Sequence, residues 1–250
     1  SPDNIDNRVD GACARYLNFK KTHKYVPDSL FVTGDTSLNI RNGSAMRTDK
    51  GVHLIKAVFG EGGRDEKRLG KGIVKQYGRA SSGFNVTSCQ FALHYFFKDI
   101  DTLQGFVKNV AEVTKLGGYF IATAYDGKTV FNMLKNKNIE DGVSIYEDKV
   151  KLWEIRKRYS LNSFEDDSSC LGYTIDVFQE SINKLTPEFL VNYDYFNRIM
   201  EDYGLQLVSK DDAKEMGLPD GSGLFSSLFT ELENASNSKR KEYDQYKDAV

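Results

Sequence analysis

The stretch Phe84-Asn85-Val86-Thr87-Ser88-Cys89-Gln90-Phe91-Ala92-Leu93-His94-Tyr95 decides how the rest of the chain is read. Its first half has the character of a strand, and its second half is a polar-aromatic corner. A segment of helical period follows, in which Leu103, Phe106, Val107, Val110 and Val113 share a face and Asp99 or Asp101 can act as N-cap. Gly117-Gly118 comes next, with Gly117 the expected left-handed stop of that helix, and then the strand Tyr119-Phe120-Ile121-Ala122-Thr123-Ala124. Strand, crossover helix and strand make one βαβ unit. Such units build parallel sheets whose ligands bind at the carboxyl ends of the strands. Gln90, Phe91, His94 and Tyr95 lie just past one such end.

Upstream, the spacing of Ile5, Val9, Ala12, Tyr16 and Phe19 predicts a helix over residues 2–24 with one face packed on a sheet. Ser1 is its N-cap and Pro2 its first residue. Ser29-Leu30-Phe31-Val32-Thr33 reads as a buried strand ending at Gly34-Asp35-Thr36-Ser37. Asp35 there is either a turn cap or an acceptor for a ligand's exocyclic amine. Residues 41–83 are polar and glycine-rich, with a short helix within 50–59. Arg64, Lys67, Arg68, Lys71, Lys75 and Arg79 outnumber Asp65 and Glu66 in this region. Such a cluster is a solvated helix face or a phosphate-tracking surface. Gly60, Gly62 and Gly63 lack the preceding strand and following helix cap of a phosphate loop.

Downstream, Tyr125-Asp126-Gly127 reads as a turn before a polar helix or loop over residues 130–138. Residues 150–159 alternate, with Trp153, Ile155 and Tyr159 on one side and Glu154, Arg156 and Arg158 on the other. Leu171-Gly172-Tyr173-Thr174-Ile175-Asp176-Val177-Phe178 alternates too, which predicts an antiparallel pair appended to the parallel core. Thr186-Pro187-Glu188-Phe189 reads as the opening of a helix that runs to Tyr203, stops at Gly204 and leads into a strand, Leu205-Gln206-Leu207-Val208. The remainder reads as loop, with a helix over residues 224–232 and a charged, solvent-facing end over 236–250.

A net charge of −2 excludes global attraction to nucleic acid, so any such partner needs a local patch. A hydrophobic fraction of 40% and an aromatic fraction of 12% describe a globular chain of one large domain. Cys13, Cys89 and Cys170 are odd in number and lack metal-ligand spacing, which points to a reduced, intracellular setting. No apolar run is long enough to span a bilayer, so no membrane partner is expected. No metal is expected either, because His23, His53 and His94 are the chain's three histidines and none are paired at ligand spacing. Hydrolytic chemistry is disfavoured by the lack of a Gly-x-Ser-x-Gly elbow. Gln90, His94 and Tyr95 instead suit a flat heteroaromatic ring, bound by stacking and edge hydrogen bonds. Glu188 is explained either by the helix macrodipole or as the acceptor for guanine N1–H and N2–H2 together.

Ser88-Cys89-Gln90-Phe91-Ala92-Leu93-His94-Tyr95-Phe96-Phe97, followed by Gly117-Gly118-Tyr119-Phe120-Ile121, resembles the mRNA cap guanine-N7 methyltransferase family. Asp10-Gly11-Ala12-Cys13-Ala14-Arg15-Tyr16, Phe31-Val32-Thr33-Gly34-Asp35-Thr36-Ser37 and Pro187-Glu188-Phe189-Leu190-Val191 agree in order. Together with Tyr125-Asp126-Gly127 they look most like the methyltransferase domains of large DNA virus capping enzymes. The resemblance implies an α/β fold. It is that of class I S-adenosylmethionine-dependent methyltransferases, Rossmann-like, with helices on both faces of the sheet, an appended antiparallel cap-binding pair, and its first strands missing. It implies one partial domain, with residues 1–135 as the cofactor-side core, 145–208 as the cap-binding part and last core elements, and 209–250 as a tail.

By the same resemblance S-adenosylmethionine is the methyl donor, with Asp35 and Thr36 at its adenine end, Gln90 by its methionine part, and Phe91 and Tyr95 also on the cofactor side. Phe91, His94, Tyr95 and Glu188 are then the cap-binding residues. No residue acts as acid or base, and Tyr95, His94 and Glu188 position the reactants. The implied partner is 5'-capped RNA, with triphosphatase and guanylyltransferase domains expected in the same polypeptide. The family's glycine-rich first turn, the acidic residue for the ribose hydroxyls and the closing strand are not in this sequence, so weak or no cofactor binding is expected of residues 1–250 alone. Two alternatives stay open: a methyltransferase for another nucleobase or small aromatic substrate, and a non-catalytic RNA- or partner-binding piece such as a stimulatory subunit.

Overall fold

The βαβ unit forms as its sequence predicts. In the computed structural model, which describes residues 11–227, 229 and 230, β1 (Phe84–Gln90) pairs in parallel with β2 (Thr114–Thr123), in register from Val86↔Tyr119 to Gln90↔Thr123. The crossover helix α5 (Ile100–Val113) buries Leu103, Phe106, Val107, Val110 and Val113, and Asp99 caps it by accepting from Thr102 N at 2.9 Å. Gly117 is not the stop of this helix. Thr114 is already extended, and Gly117, at φ 71°, lies inside β2. Between the pairs Phe84↔Thr114 and Val86↔Tyr119 more residues advance on β2 than on β1, and the extra backbone loops out through a glycine that takes positive φ without strain.

The upstream elements fall into α1 (Ala12–Thr22), α2 (Asp49–Val58) and two helical turns, α3 (Glu66–Leu69) and α4 (Lys71–Val74). The start of the expected first helix lies outside the described residues. Its described part does not pack an apolar face on a sheet: α1 buries no residue, and Phe19 stacks on His23 with ring centroids 3.6 Å apart. Ser29-Leu30-Phe31-Val32-Thr33 is not a buried strand. No described strand pairs with it, and the backbone ladder begins and ends with one antiparallel bridge, Gly34↔Met46. A strand needs a partner for its N–H and C=O groups, and apolar composition does not supply one.

After α6 (Gly127–Leu134) the expected antiparallel pair is a four-stranded sheet. Its order is β3 (Gly142–Glu147), β4 (Val150–Lys157), β5 (Thr174–Gln179), β6 (Lys184–Phe189). Ile155, Ile175, Val177 and Leu190 pack under it against Val130, Phe131 and Leu134, which makes this sheet a core of its own. The predicted helix start at Thr186 is wrong. Thr186, Pro187 and Glu188 pair with Val177, Asp176 and Ile175 as strand β6, and helix α7 (Tyr193–Asp202) begins only after Asn192, whose Oδ1 accepts from Tyr195 N at 3.0 Å. Pro187 suits a first helical turn by its φ, but it is equally tolerated on an edge strand, where no ladder hydrogen bond is lost. β6 is that edge.

The chain divides into two units, Ser1–Tyr203 and Gly204–Val250. In the second, Leu205-Gln206-Leu207-Val208 is not a strand, and no described residue pairs with it. A helix that the loop-like reading missed, α8 (Lys210–Glu215), follows it, with Ser209 Oγ accepting from Asp212 N at 3.1 Å. Residues 225–227, 229 and 230 are helical; the rest of the expected 224–232 helix and the 236–250 end lie outside the described residues. Among the described residues no helix is long and apolar enough to cross a membrane.

Candidate active site

At the end of β1 the chain leaves the sheet through a strained residue. Phe91 has φ 51°, in the left-handed region that costs a residue with a β-carbon about 1–2 kcal/mol. The turn is held by Thr123, whose backbone oxygen and Oγ1 accept from Phe91 N at 3.1 and 3.0 Å. Thr123 Oγ1 also donates to Gln90 Oε1 at 2.9 Å, and Gln90 Nε2 donates to Ser88 Oγ at 3.0 Å, so the Gln90 amide is aimed. Strain of this kind concentrates at binding sites, where the surroundings over-determine the backbone. Phe91 as a residue remains 67% exposed.

A 3-10 helix, Leu93–Lys98, turns the corner. Leu93, Phe96 and Phe97 are buried and fix it: Phe96 stacks on Phe106 of α5 at 3.9 Å, and the Phe97 oxygen accepts from Gly172 N at 2.9 Å. With three residues per turn, anchoring these side chains drives His94 inward and leaves Tyr95 outward. His94 is 6% exposed and Tyr95 47%, with their rings edge-on at 4.2 Å.

His94 meets Glu188 there. Nδ1 lies 3.4 Å from Glu188 Oε2, longer than a good hydrogen bond, and the buried Nε2 has no partner. Burial pushes the His94 pKa down to about 4 and the Glu188 pKa up to about 7. At neutral pH the contact is therefore between a neutral imidazole and a carboxyl group near half ionisation, not an ion pair. An orphaned buried ring nitrogen beside an unsaturated carboxyl is the arrangement expected where a ligand completes the hydrogen bonds. Burial also raises Tyr95, with the Glu188 charge adding to it. Cys89, at about 11, stays a thiol and is no nucleophile.

Asp35 is built differently. Its Oδ1 accepts from both Ser37 N at 3.0 Å and Ser37 Oγ at 2.6 Å, and these bonds, chiefly the hydroxyl's, hold its carboxyl below the usual range. The turn-cap reading is thus correct, and it leaves Oδ2 of an exposed, ionised carboxylate open. The loop is pinned from α5. Asn109, 2% exposed, donates through Nδ2 to Thr36 O at 2.8 Å and Leu38 O at 2.6 Å, and its Oδ1 accepts from Ile40 N at 2.8 Å. One helical turn earlier, a β-carbon at Gly105 would sit 1.9 Å from Ser37 O, so only glycine admits the loop. Sequence reading missed both residues. The available signal was a glycine and an amide four positions apart, the amide falling among the apolar residues of an amphipathic helix.

The structure thus brings Gln90, Phe91, His94, Tyr95 and Glu188 to one corner. Asp35 and Thr36 lie on a separate loop tied to the same crossover helix, and no hydrogen bond joins them to Gln90, His94, Tyr95 or Glu188. Glu188 arrives on a strand, so the helix-dipole explanation of it falls.

Comparison with known proteins fits this picture. The chain is 27% identical, over 95% of its length, to a probable mRNA-capping enzyme of Acanthamoeba polyphaga mimivirus, and spans 18% of that protein. It is 29% identical to an mRNA cap guanine-N(7) methyltransferase of Caenorhabditis elegans, covering 66% of this chain and 43% of the relative. The corresponding enzyme of Saccharomyces cerevisiae is 30% identical over 50% of this chain and 29% of its own length. The chain is thus a minor part of the length of each relative. The α/β architecture, a parallel unit with a separate antiparallel sheet, agrees with the class I methyltransferase fold. With residues 3–248 matching its description, the chain belongs to the mRNA (guanine-N(7))-methyltransferase domain family.

Proposed function

We propose that this chain carries the site at which a methyl group passes from S-adenosylmethionine to N7 of the cap guanine of 5'-capped RNA. The observation that carries the reading is the buried His94–Glu188 corner with its unpartnered Nε2. Glu188, when ionised, accepts from guanine N1–H and N2–H2, and this fixes the ring edge opposite to the one that reacts. His94, with one ring nitrogen free, supplies the neighbouring hydrogen bond. Tyr95 and Phe91 offer exposed aromatic faces next to it.

The donor brings a methyl group already activated on a sulfonium. The residues present fit it: Asp35 Oδ2 is an ionised acceptor for the adenine exocyclic amine, on a loop that Asn109 and Gly105 hold in shape. Thr36, Gln90, Phe91 and Tyr95 complete the cofactor side in this reading. N7 carries no proton and keeps a lone pair in the plane of the ring, so no general base is needed. Alignment and exclusion of water suffice. The Glu188 carboxylate also favours the positive charge that the purine gains.

The test is methyl transfer by the full-length protein to GpppG-capped RNA, ApppG-capped RNA and uncapped RNA. Label confined to the guanine cap supports the reading. Equal label on uncapped RNA overturns it in favour of another nucleobase substrate, and no label on any of the three leaves a binding role.

A further inference from the structure

Two sets of cations on this chain are treated differently. Three cations in or just after β4 are neutralised: Lys151 Nζ lies 2.9 Å from Glu154 Oε2, Arg156 Nε 3.1 Å from Glu154 Oε1, and Arg158 Nη1 2.9 Å from Glu140 Oε1. Arg64, Lys67, Arg68, Lys71, Lys75 and Arg79 are all exposed, and none forms an ion pair with a described carboxylate. Asp65 is occupied in capping α3, where it accepts from Lys67 N at 2.9 Å. Six cations without a carboxylate partner, Arg64 lying over the Tyr77 ring, against two carboxylates stand out on a chain whose net charge is −2.

Local folding explains why they stay apart from acids. Gly70, at φ 81°, breaks the segment into α3 and α4, and Leu69 and Ile73 turn inward beside Leu54 of α2. Lys67 and Arg68 then lie on α3 and Lys71 on α4, with Arg64, Lys75 and Arg79 flanking the two turns. Between these turns and α2 lies a depression of about 260 Å³, lined by Asp49, Lys50, His53, Leu54, Arg68, Leu69 and Ile73. Its floor is apolar and its rim carries Lys50 and Arg68. His53 Nδ1 lies 2.5 Å from Asp49 O and must donate to it, which leaves Nε2 as the ring nitrogen available at the recess. A cationic track beside an apolar recess with edge hydrogen-bonding groups is the chemistry that single-stranded nucleic acid asks for, phosphates on the track and a base in the recess.

We infer that the surface formed by α2, α3 and α4 holds the RNA beyond the cap, its phosphates on the cations of residues 64–79 and one unstacked base in the recess over Leu54, Leu69 and Ile73. This rests on the reading that the chain acts on capped RNA. The track adds affinity for the transcript without touching the reacting atoms, so it acts on RNA length and salt dependence and leaves the chemistry at the corner alone.

The experiment compares the full-length protein with its Arg68→Glu/Lys71→Glu/Lys75→Glu variant. Binding of an uncapped single-stranded RNA of about twenty nucleotides is followed by fluorescence anisotropy between about 50 and 200 mM salt. Methyl transfer is measured on the GpppG dinucleotide and on a capped RNA of the same length. Affinity for the RNA should fall at least about tenfold, and the slope of log K against log salt should shrink by about 2, at about 0.7 per lost phosphate contact. KM for capped RNA should rise while the dinucleotide reacts as before. Unchanged affinity and slope overturn the inference. If the charge reversals also impair the dinucleotide, the milder Arg68→Gln/Lys71→Gln/Lys75→Gln variant decides by the same slope. A wild-type protein that methylates neither substrate refutes the proposed function, and the anisotropy arm then still decides the surface.

Discussion

Asp35 and Glu188 are two carboxylates on one chain, each proposed to take hydrogen bonds from a purine, and their surroundings are opposite. Asp35 sits exposed in a turn, where Ser37 keeps it charged. Glu188 sits beside the His94 ring, where burial lifts it to about 7. A carboxylate in water exchanges one set of partners for another and discriminates weakly. A buried one left without its donors costs about 1–3 kcal/mol or more, so it rejects the wrong ring. Selectivity is therefore expected at Glu188 and retention of the donor at Asp35.

The largest effect should come from Glu188→Ala. Removing the buried acceptor should lower kcat/KM for guanine-capped RNA by roughly 5- to 150-fold, from about 1–3 kcal/mol of lost hydrogen bonding, with little change in the KM for S-adenosylmethionine. An equal loss in both parameters would erase the contrast between the two carboxylates.

Next is pH. With Glu188 at about 7, its ionised fraction rises about tenfold between pH 6 and 8, and kcat/KM for the capped substrate should rise with it. Glu188→Gln should flatten that limb. A flat profile in the wild type would mean that Glu188 is ionised throughout, as Asp35 is.

Asn109→Leu tests the other carboxylate. It leaves the Ile40 N–H and the Thr36 and Leu38 carbonyls without their partner, a loss of about 1–3 kcal/mol read from the denaturation midpoint. The KM for S-adenosylmethionine should rise more than that for the cap. Asn109 is a positioning residue, and a stability loss with both KM values unchanged would reduce it to a structural one.

The smallest effect is the pH dependence of stability. Folded Glu188 keeps a proton that the unfolded chain loses at 4.5, so its contribution is present at low pH and is lost as pH rises from 4.5 to about 7. Folded His94 refuses a proton that the unfolded chain accepts at 6.5, so stability is lost as pH falls from 6.5 to about 4. Over the shared window the two oppose, and the pair should leave stability nearly level. Calorimetry on His94→Gln should uncover the downward slope with rising pH, and on Glu188→Gln the upward one. Parallel slopes in the two variants would contradict the assignment of burial as the cause of both shifts.

Much of this was legible locally. The βαβ unit was, because a strand, an amphipathic helix capped by Asp99 and a second strand each declare themselves within a few residues. The candidates at the corner were too, since Gln90, Phe91, His94 and Tyr95 fall within six consecutive residues. Ser29-Leu30-Phe31-Val32-Thr33 and Leu205-Gln206-Leu207-Val208 have strand composition, yet neither has a partner in the described residues. Thr186-Pro187-Glu188 carries a helix-start signature in a strand, because proline satisfies both a first helical turn and a sheet edge, and pairing with β5 decided between them. Asn109 and Gly105 stood out only weakly, because their work is done on backbone groups about seventy residues away in sequence.

By itself, then, the sequence determined the elements whose causes are local, the excess of cations over acids in residues 64–79, and the family resemblance written in short motifs. Tertiary structure alone decided that Glu188 is a strand residue beside His94, that both are pushed toward their neutral forms, and that Asn109 and Gly105 shape the Asp35 loop. The reason is physical. Periodicity and capping act over a few residues, whereas burial, strand pairing and the pKa of a carboxyl group depend on what distant segments bring to its side.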